Sequence, residues 1–144
     1  MKQILGLILV LTVAAAAGAE PQRLTVTAGV ANIRSGPGTT HDVLWQVQKY
    51  FPIAVIEKSG AWYRFRDFED DVGWIHRSLV GDVPALITKT DRCNIRSGPG
   101  LKHKVLFSVG LGIPFKILDS QGNWFHVEHA DGDSGWIHNS LIWK

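Results

Sequence analysis

Histidines, one cysteine and clustered carboxylates are the side chains here that could support metal, nucleophilic or acid–base chemistry. Two histidines recur at an offset of 62 residues, His41 with His103 and His76 with His138. Imidazole is a common metal ligand and carries protons near neutral pH. No His-x-His pair, second cysteine or His-Glu-x-x-His motif accompanies them. The pattern therefore favours a structural hydrogen-bonding role over a metal site, and we expect no cofactor.

Cys93 is the single thiol of the sequence that could act as a nucleophile. A cysteine peptidase needs a thiolate with a histidine in reach, but strand alternation places Cys93 at an inward position that Ala31 fills in the first half of the chain. A small apolar position predicts a buried, inert thiol. Ser35 and Ser97 lie in Ser-Gly-Pro-Gly turns and not in a nucleophile elbow. The acidic residues 69–71 fall in a turn. The sequence therefore predicts a protein that is not an enzyme.

The elements that carry these residues occur twice. Asn-Ile-Arg-Ser-Gly-Pro-Gly occupies residues 32–38 and 94–100, and Gly-Trp-Ile-His occupies residues 73–76 and 135–138. Similarity at a fixed offset indicates that one unit was duplicated.

Each copy has short β-rich segments separated by turn signals and no segment of helical period. We count five short strands per copy, which predicts a small all-β barrel or sandwich. Alternation sends Ala31 and Ile33 toward the core. We expect two domains, at residues 20–82 and 83–144, each with its own core.

The outward faces of two predicted strands carry a repeated aromatic and basic set. Within residues 62–66, alternation puts Trp62 and Arg64 on the solvent face and Phe65 inside. Trp74 and His76 likewise share a face. The predicted ligand-binding residues of both copies are Trp62, Arg64, Trp74, His76, Trp124, His126, Trp136 and His138. An outward indole suits a sugar face or an apolar side chain; the alternative is that these tryptophans only cover the core of a small fold.

The N-terminus and the charge balance bear on location and partners. Residues 1–19 join a lysine, an apolar run and a final Ala-Gly-Ala, the pattern of a cleaved signal peptide. The run is shorter than the ~20 residues that span a bilayer, so we expect no stable membrane insertion. With 15 Lys and Arg against 13 Asp and Glu, no nucleic-acid partner is indicated. A secreted chain without disulfides is ordinary in a bacterial periplasm, and we expect a periplasmic or secreted protein.

These motifs resemble the bacterial Src-homology-3-like (SH3b) domains. That family has a strand ending Asn-[Val/Ile]-Arg-Ser-Gly-Pro-Gly, a mid-domain tryptophan and a closing Gly-Trp-[Val/Ile] strand. Both copies match, with Trp62 and Trp124 as the mid-domain tryptophans. The resemblance implies two SH3-like small β-barrels in tandem. It also implies a role in the cell envelope, where such domains often accompany cell-wall hydrolases.

Function follows as an expectation from the resemblance and the aromatic face. We expect a non-catalytic periplasmic or cell-envelope binding protein that recognises peptidoglycan through paired SH3-like domains, since two linked weak sites gain affinity together. The alternative is an adaptor that docks a proline-containing or extended peptide of an envelope protein.

Overall fold

A computed structural model describes residues 20–144 and shows two consecutive β-units. The first unit contains β1 (Gln22–Val26), β2 (Val30–Arg34), β3 (Val43–Gln48), β4 (Pro52–Ser59), β5 (Trp62–Arg66), β6 (Val72–His76) and β7 (Val80–Gly81). The second unit contains β8 (Ala85–Thr88), β9 (Cys93–Arg96), β10 (Val105–Val109), β11 (Pro114–Gln121), β12 (Trp124–Glu128), β13 (Ser134–His138) and β14 (Ile142–Trp143). The predicted signal peptide at residues 1–19 lies outside the described part of the chain.

Helical structure in residues 20–144 is limited to two 3-10 helices, Arg77–Leu79 and Asn139–Leu141, each placed just before the last strand of its unit. Neither helix of this part of the chain has the length and apolarity needed to cross a membrane.

Both units have the same sheet topology. The strand order is β3-β2-β6-β5-β4-β1-β7 in the first sheet and β10-β9-β13-β12-β11-β8-β14 in the second, and all pairs are antiparallel. The prediction of an all-β chain with two tandem units is confirmed. The outermost strands β3 and β7 do not pair, however, so each unit is an open sheet and not the closed barrel that the sequence suggested.

Each unit has seven strands where the sequence predicted five. The first predicted strand is two strands, because Thr27 and Ala28 turn their amides to the carbonyl of Leu79 at 2.9 and 3.4 Å. After this break β1 pairs with β4 and β7, whereas β2 pairs with β3 and β6. The last strand of each unit was missed because two residues are too short to show a period.

The core includes the predicted inward residues. Ala31 and Ile33 are buried in β2, Ile75 is buried in β6 and Phe65 is buried in β5. Cys93 is fully buried at the position of Ala31, as expected.

Glycine opens the Gly-Trp-Ile-His strand because β6 and β13 cross another strand there. A Cβ on Gly135 would lie 2.5 Å from Ile95 Cγ2 and 2.9 Å from the backbone oxygen of Arg96. A Cβ on Gly73 would overlap Ile33 Cγ2 in the same way. Any side chain here would push the crossing strands apart.

The two units contact each other through residues near the linker. Ile87 of the second unit is fully buried in the core cluster of the first, and Trp143 packs against the same cluster. The Arg23 guanidinium lies 4.4 Å above the Trp143 ring. The first core therefore extends into the second unit, while the domain boundaries stay a prediction.

Candidate functional site

Each unit has a surface groove between the ends of β2, β5 and β6 or their counterparts. The first groove has a volume of about 420 Å³ and is lined by Val30, Asn32, Arg34, Thr39, Gln46, Trp62, His76, Ser78 and Leu79. The second groove, of about 480 Å³, is lined at eight of these positions by the residues that lie 62 places later in the chain. The groove was therefore duplicated together with the fold.

A tryptophan and a histidine form one wall of each groove. Trp62 and His76 are register partners on β5 and β6, and their rings meet edge to face with centroids 5.2 Å apart. Trp124 and His138 repeat this arrangement at 5.1 Å. All four side chains are partly exposed. The pairing on adjacent strands keeps an aromatic surface open to solvent.

The histidine also begins the 3-10 helix that closes the groove. His76 Nδ1 accepts a hydrogen bond from the Ser78 amide at 3.2 Å and lies 2.7 Å from Ser78 Oγ. His138 and Ser140 repeat the contacts at 3.2 and 2.8 Å. A backbone amide can only donate, so Nδ1 is the unprotonated nitrogen. The neutral ring therefore carries its proton on Nε2, which has no hydrogen-bond partner among residues 20–144.

The repeated arginine fixes the loop that forms the opposite wall. Arg34 Nη1 donates to the carbonyls of Thr39 and His41, both at 3.0 Å. The corresponding Nη1 of Arg96 donates at 3.2 and 3.1 Å. A Cβ on Gly36 would lie 2.5 Å from His41 Nδ1, so the His41 ring packs directly on this glycine and would have to move for a larger residue. The Asn-Ile-Arg-Ser-Gly-Pro-Gly motif thus builds one side of the groove.

The predicted site residues divide into two sets. Trp62, His76, Trp124 and His138 line the grooves. The remaining four, Arg64, Trp74, His126 and Trp136, lie in the next row of the same outward sheet face and do not line them.

In that next row, Arg64 is the register partner of Trp74 and forms an ion pair with Glu57 at 3.5 Å. The rings of His126 and Trp136 stack with centroids 4.9 Å apart.

Sequence reasoning missed several groove residues, among them Asn32, Ser78 and Leu79. Each belongs to a duplicated stretch and was interpreted as part of a strand or a turn. The Asn32 side chain accepts a hydrogen bond from Gln46 at 2.7 Å across β2 and β3, which fixes its orientation. The repeat itself was the available signal, because all three residues are identical in both copies.

The charge of the grooves is one-sided. Among residues 20–144, no aspartate or glutamate lines either groove, whereas Arg34 lines the first and Arg92 and Arg96 line the second. The arrangement suits neutral or anionic groups and disfavours amines.

Another cleft lies between the two units. It has a volume of about 360 Å³, and Trp45, Asp67 and Phe68 meet residues 112–114 there. Asp67 Oδ1 accepts hydrogen bonds from the amides of Glu69 and Asp71, and burial raises the pKa of Asp67.

In the second unit His129 replaces Asp67. His129 Nδ1 accepts from the Asp131 amide at 3.2 Å. The amide of Asp133 donates to Asp131 and thereby lowers the pKa of that carboxyl. Two different side chains thus support the same turn, which indicates a structural role.

Candidate reactive groups lie away from the grooves. Cys93 Sγ is fully buried and lies 3.0 Å from Thr90 Oγ1. Within residues 20–144, no three His, Cys, Asp or Glu side chains lie close enough to share a metal ion.

Known proteins with similar sequences include cell-wall enzymes. The chain is 22% identical over 129 residues to the Bacillus subtilis protein named "Putative N-acetylmuramoyl-L-alanine amidase YrvJ", a match that covers 77% of this chain and 23% of that one. It is 35% identical over 61 residues to "Probable cell wall amidase LytH" of Staphylococcus epidermidis, covering 42% of this chain and 21% of the relative. The matched region thus spans less than a quarter of either relative.

A solved structure and a family profile also match this chain. NlpC1 from Trichomonas vaginalis aligns with 91% of this chain and 48% of its own, at 12% identity and a TM-score of 0.40. The profile of the bacterial SH3 domain matches twice, at residues 27–82 and 89–144. The chain belongs to the bacterial SH3 domain family.

Proposed function

We propose that this chain is a non-catalytic binding protein of the cell envelope, periplasmic or secreted, whose two grooves bind peptidoglycan. The observation that carries the proposal is the duplicated groove, in which tryptophan, histidine, asparagine and arginine recur at equivalent positions. A relative named as a cell wall amidase supports a cell-wall ligand.

The groove chemistry fits a polymer of sugars and peptides. The indoles of Trp62 and Trp124 offer flat apolar surfaces for a sugar ring or an aliphatic side chain. The Nε2–H groups of His76 and His138 add donors for the carbonyls of N-acetyl groups or peptide bonds. A concave apolar wall with a few fixed polar groups is typical of ligand sites.

Two equivalent grooves on one chain suit a repeating ligand. Once one groove is occupied, the second meets its ligand at a raised effective concentration, and avidity can exceed either affinity by about 10²–10⁴. The buried contact of Ile87 with the first core limits how the units move relative to each other. We therefore propose that both grooves bind the same wall fragment or neighbouring strands.

The proposal assigns no catalytic step to the chain. The buried Cys93 is closed to a substrate. The tandem units themselves correspond to the matched family along residues 27–82 and 89–144. In the proposed role, the two units bind a ligand and carry out no reaction.

Co-sedimentation with purified sacculi tests the proposal. We expect the wild-type protein to sediment with the sacculi and a Trp62→Ala/Trp124→Ala variant to stay in the supernatant. An Ile56→Ala variant is the matched control, since Ile56 is exposed and lines neither groove. Wild-type protein that stays in the supernatant refutes peptidoglycan binding, and release of soluble muropeptides refutes the non-catalytic assignment.

An adaptor that docks an extended peptide of an envelope protein is a second candidate. The outermost strands β3 and β10 present unpaired edges with exposed aliphatic residues, Val43 and Leu44 on one and Val105 and Leu106 on the other. Such edges can accept an additional strand. Capture of an envelope protein that is lost in a Leu44→Lys/Leu106→Lys variant, with no binding to sacculi, would favour the adaptor.

A further inference from the structure

The two grooves share eight lining positions, and two of these carry different residues. Val30 of the first groove corresponds to Arg92 of the second, and Thr39 corresponds to Leu101. The tryptophan, histidine, asparagine and neighbouring arginine are unchanged. The second groove therefore has one more positive charge than the first, and its apolar side chain lies at the position of Thr39 and not at that of Val30.

The Arg92 guanidinium is not paired with another side chain among residues 20–144. The side chain is exposed at the groove, and its guanidinium forms no ion pair or hydrogen bond with the residues from 20 to 144. Arg96 in the same groove is partly occupied, since its Nη1 donates to the carbonyls of Leu101 and His103. Among residues 20–144, Arg92 thus has no partner for its donors in the groove that Trp124 also lines.

The surroundings of Arg92 favour an anionic group. Of the described residues, two arginines and no side-chain carboxylate line the second groove. A guanidinium can bind a carboxylate through two parallel hydrogen bonds, which are stronger than bonds between neutral groups. Leu101 is 77% exposed and extends the apolar wall, so that an aliphatic side chain next to the carboxylate can be covered.

We propose that the second groove is specific for a carboxylate-bearing peptide and that Arg92 is the residue that determines this specificity. The inference rests on the proposed function and narrows it: within peptidoglycan, the second groove binds the stem peptide, which carries free carboxylates, and not the uncharged face of the glycan. The first groove, with Val30 in place of Arg92, has no such preference. The two units therefore bind different parts of the same ligand.

Calorimetric titration with defined peptides tests this assignment. The probes are a peptidoglycan stem tetrapeptide with free carboxylates and the same peptide with every carboxyl amidated. We expect the wild type to bind the free acid about tenfold more tightly, as one charge-assisted interaction contributes. Arg92→Val, which copies the first groove, should abolish the preference, and Arg92→Lys should retain part of it. Val30→Arg should raise the number of acid-preferring sites from one to two.

The outcomes separate this inference from the function on which it rests. Equal affinity of the wild type for both peptides, or a preference that survives Arg92→Val, overturns the inference. Wild-type protein that sediments with sacculi yet binds neither peptide also overturns it and leaves peptidoglycan binding intact. Wild-type protein that shows the peptide preference but does not sediment with sacculi retains the carboxylate site and refutes peptidoglycan as its source.

Discussion

The indole of Trp62 and the imidazole of His76 meet edge to face across two neighbouring strands, with ring centroids 5.2 Å apart. The same pair recurs 62 residues later, where the centroids of Trp124 and His138 are 5.1 Å apart. In both units the histidine also caps the following 3-10 helix. The histidine therefore contributes to the wall of the groove and also fixes the start of the helix that follows.

Trp62→Ala should weaken binding to sacculi about tenfold and lower the melting temperature only slightly. The indole is partly exposed at the groove, and aromatic side chains of this kind contribute roughly 1–2 kcal/mol to ligand binding. Co-sedimentation and calorimetric melting measure the two effects. Trp45→Ala is the matched control, because Trp45 packs against Phe65 in the core and lines neither groove. If Trp62→Ala destabilises the protein like the control and leaves binding unchanged, Trp62 only covers the core.

His76→Ala should reduce the free energy of unfolding by about 1 kcal/mol, the usual effect of removing a helix cap. The substitution leaves the Ser78 amide without the acceptor it has at 3.2 Å. His76→Asn should restore most of the loss, because asparagine also accepts at this position. Urea denaturation of the three proteins measures the series. Equal stability of all three would show that the cap contributes nothing.

Gly135→Ala should destabilise the second unit by roughly 1–3 kcal/mol, the range for overpacking a core. The new Cβ would lie 2.9 Å from the Arg96 carbonyl oxygen, and a backbone atom cannot rotate away. Gly29→Ala is the control, since nothing lies within 4 Å of its added methyl group. Thermal unfolding that is equally affected by both substitutions would argue against the close crossing of β13 and β9.

Asp67→Asn should remove a pH dependence of stability. Burial raises the pKa of Asp67 in the folded protein, so the folded state binds this proton more tightly than the unfolded chain does. The free energy of unfolding therefore falls as pH rises from about 4 through the raised pKa. Asparagine keeps the acceptor for the Glu69 and Asp71 amides and loses the titration.

Urea denaturation between pH 3 and pH 7 measures this effect. Asp131→Asn serves as a comparison, because the pKa of Asp131 is shifted in the opposite direction. The Asp133 amide lowers the pKa of Asp131. Its contribution to stability is therefore present above about pH 4 and is lost as pH falls through the folded pKa. Identical pH profiles for the wild type and Asp67→Asn would contradict the account of the buried carboxyl.

Strand alternation predicted which side chains are buried and which are exposed. Ile33 and Cys93 lie inside as expected, because a strand with one buried face admits a single inward set. The break at Thr27 was not visible, since it depends on amides that bond to Leu79 more than fifty residues away. The open sheet was missed for a similar reason, because closure depends on pairing between distant strands.

The groove could be predicted only in part. Trp62 and His76 were selected because alternation exposes both, and their direct contact depends on the register of β5 with β6. Asn32 and Arg34 were interpreted as strand residues, since their place beside Trp62 depends on how β2 crosses β6. The periodicity of a sequence predicts which face of a strand a side chain lies on. A binding site also depends on which strand lies next to it, and periodicity does not predict that.

Titration of the tryptophan indole N–H signals tests the central claim most directly. The six tryptophans give six indole resonances, and soluble peptidoglycan fragments can be added to the labelled protein. The account predicts that the signals of Trp62 and Trp124 move together, while those of Trp45 and Trp143, which lie outside the grooves, stay in place. Unchanged spectra, or shifts centred on Trp45, would contradict it.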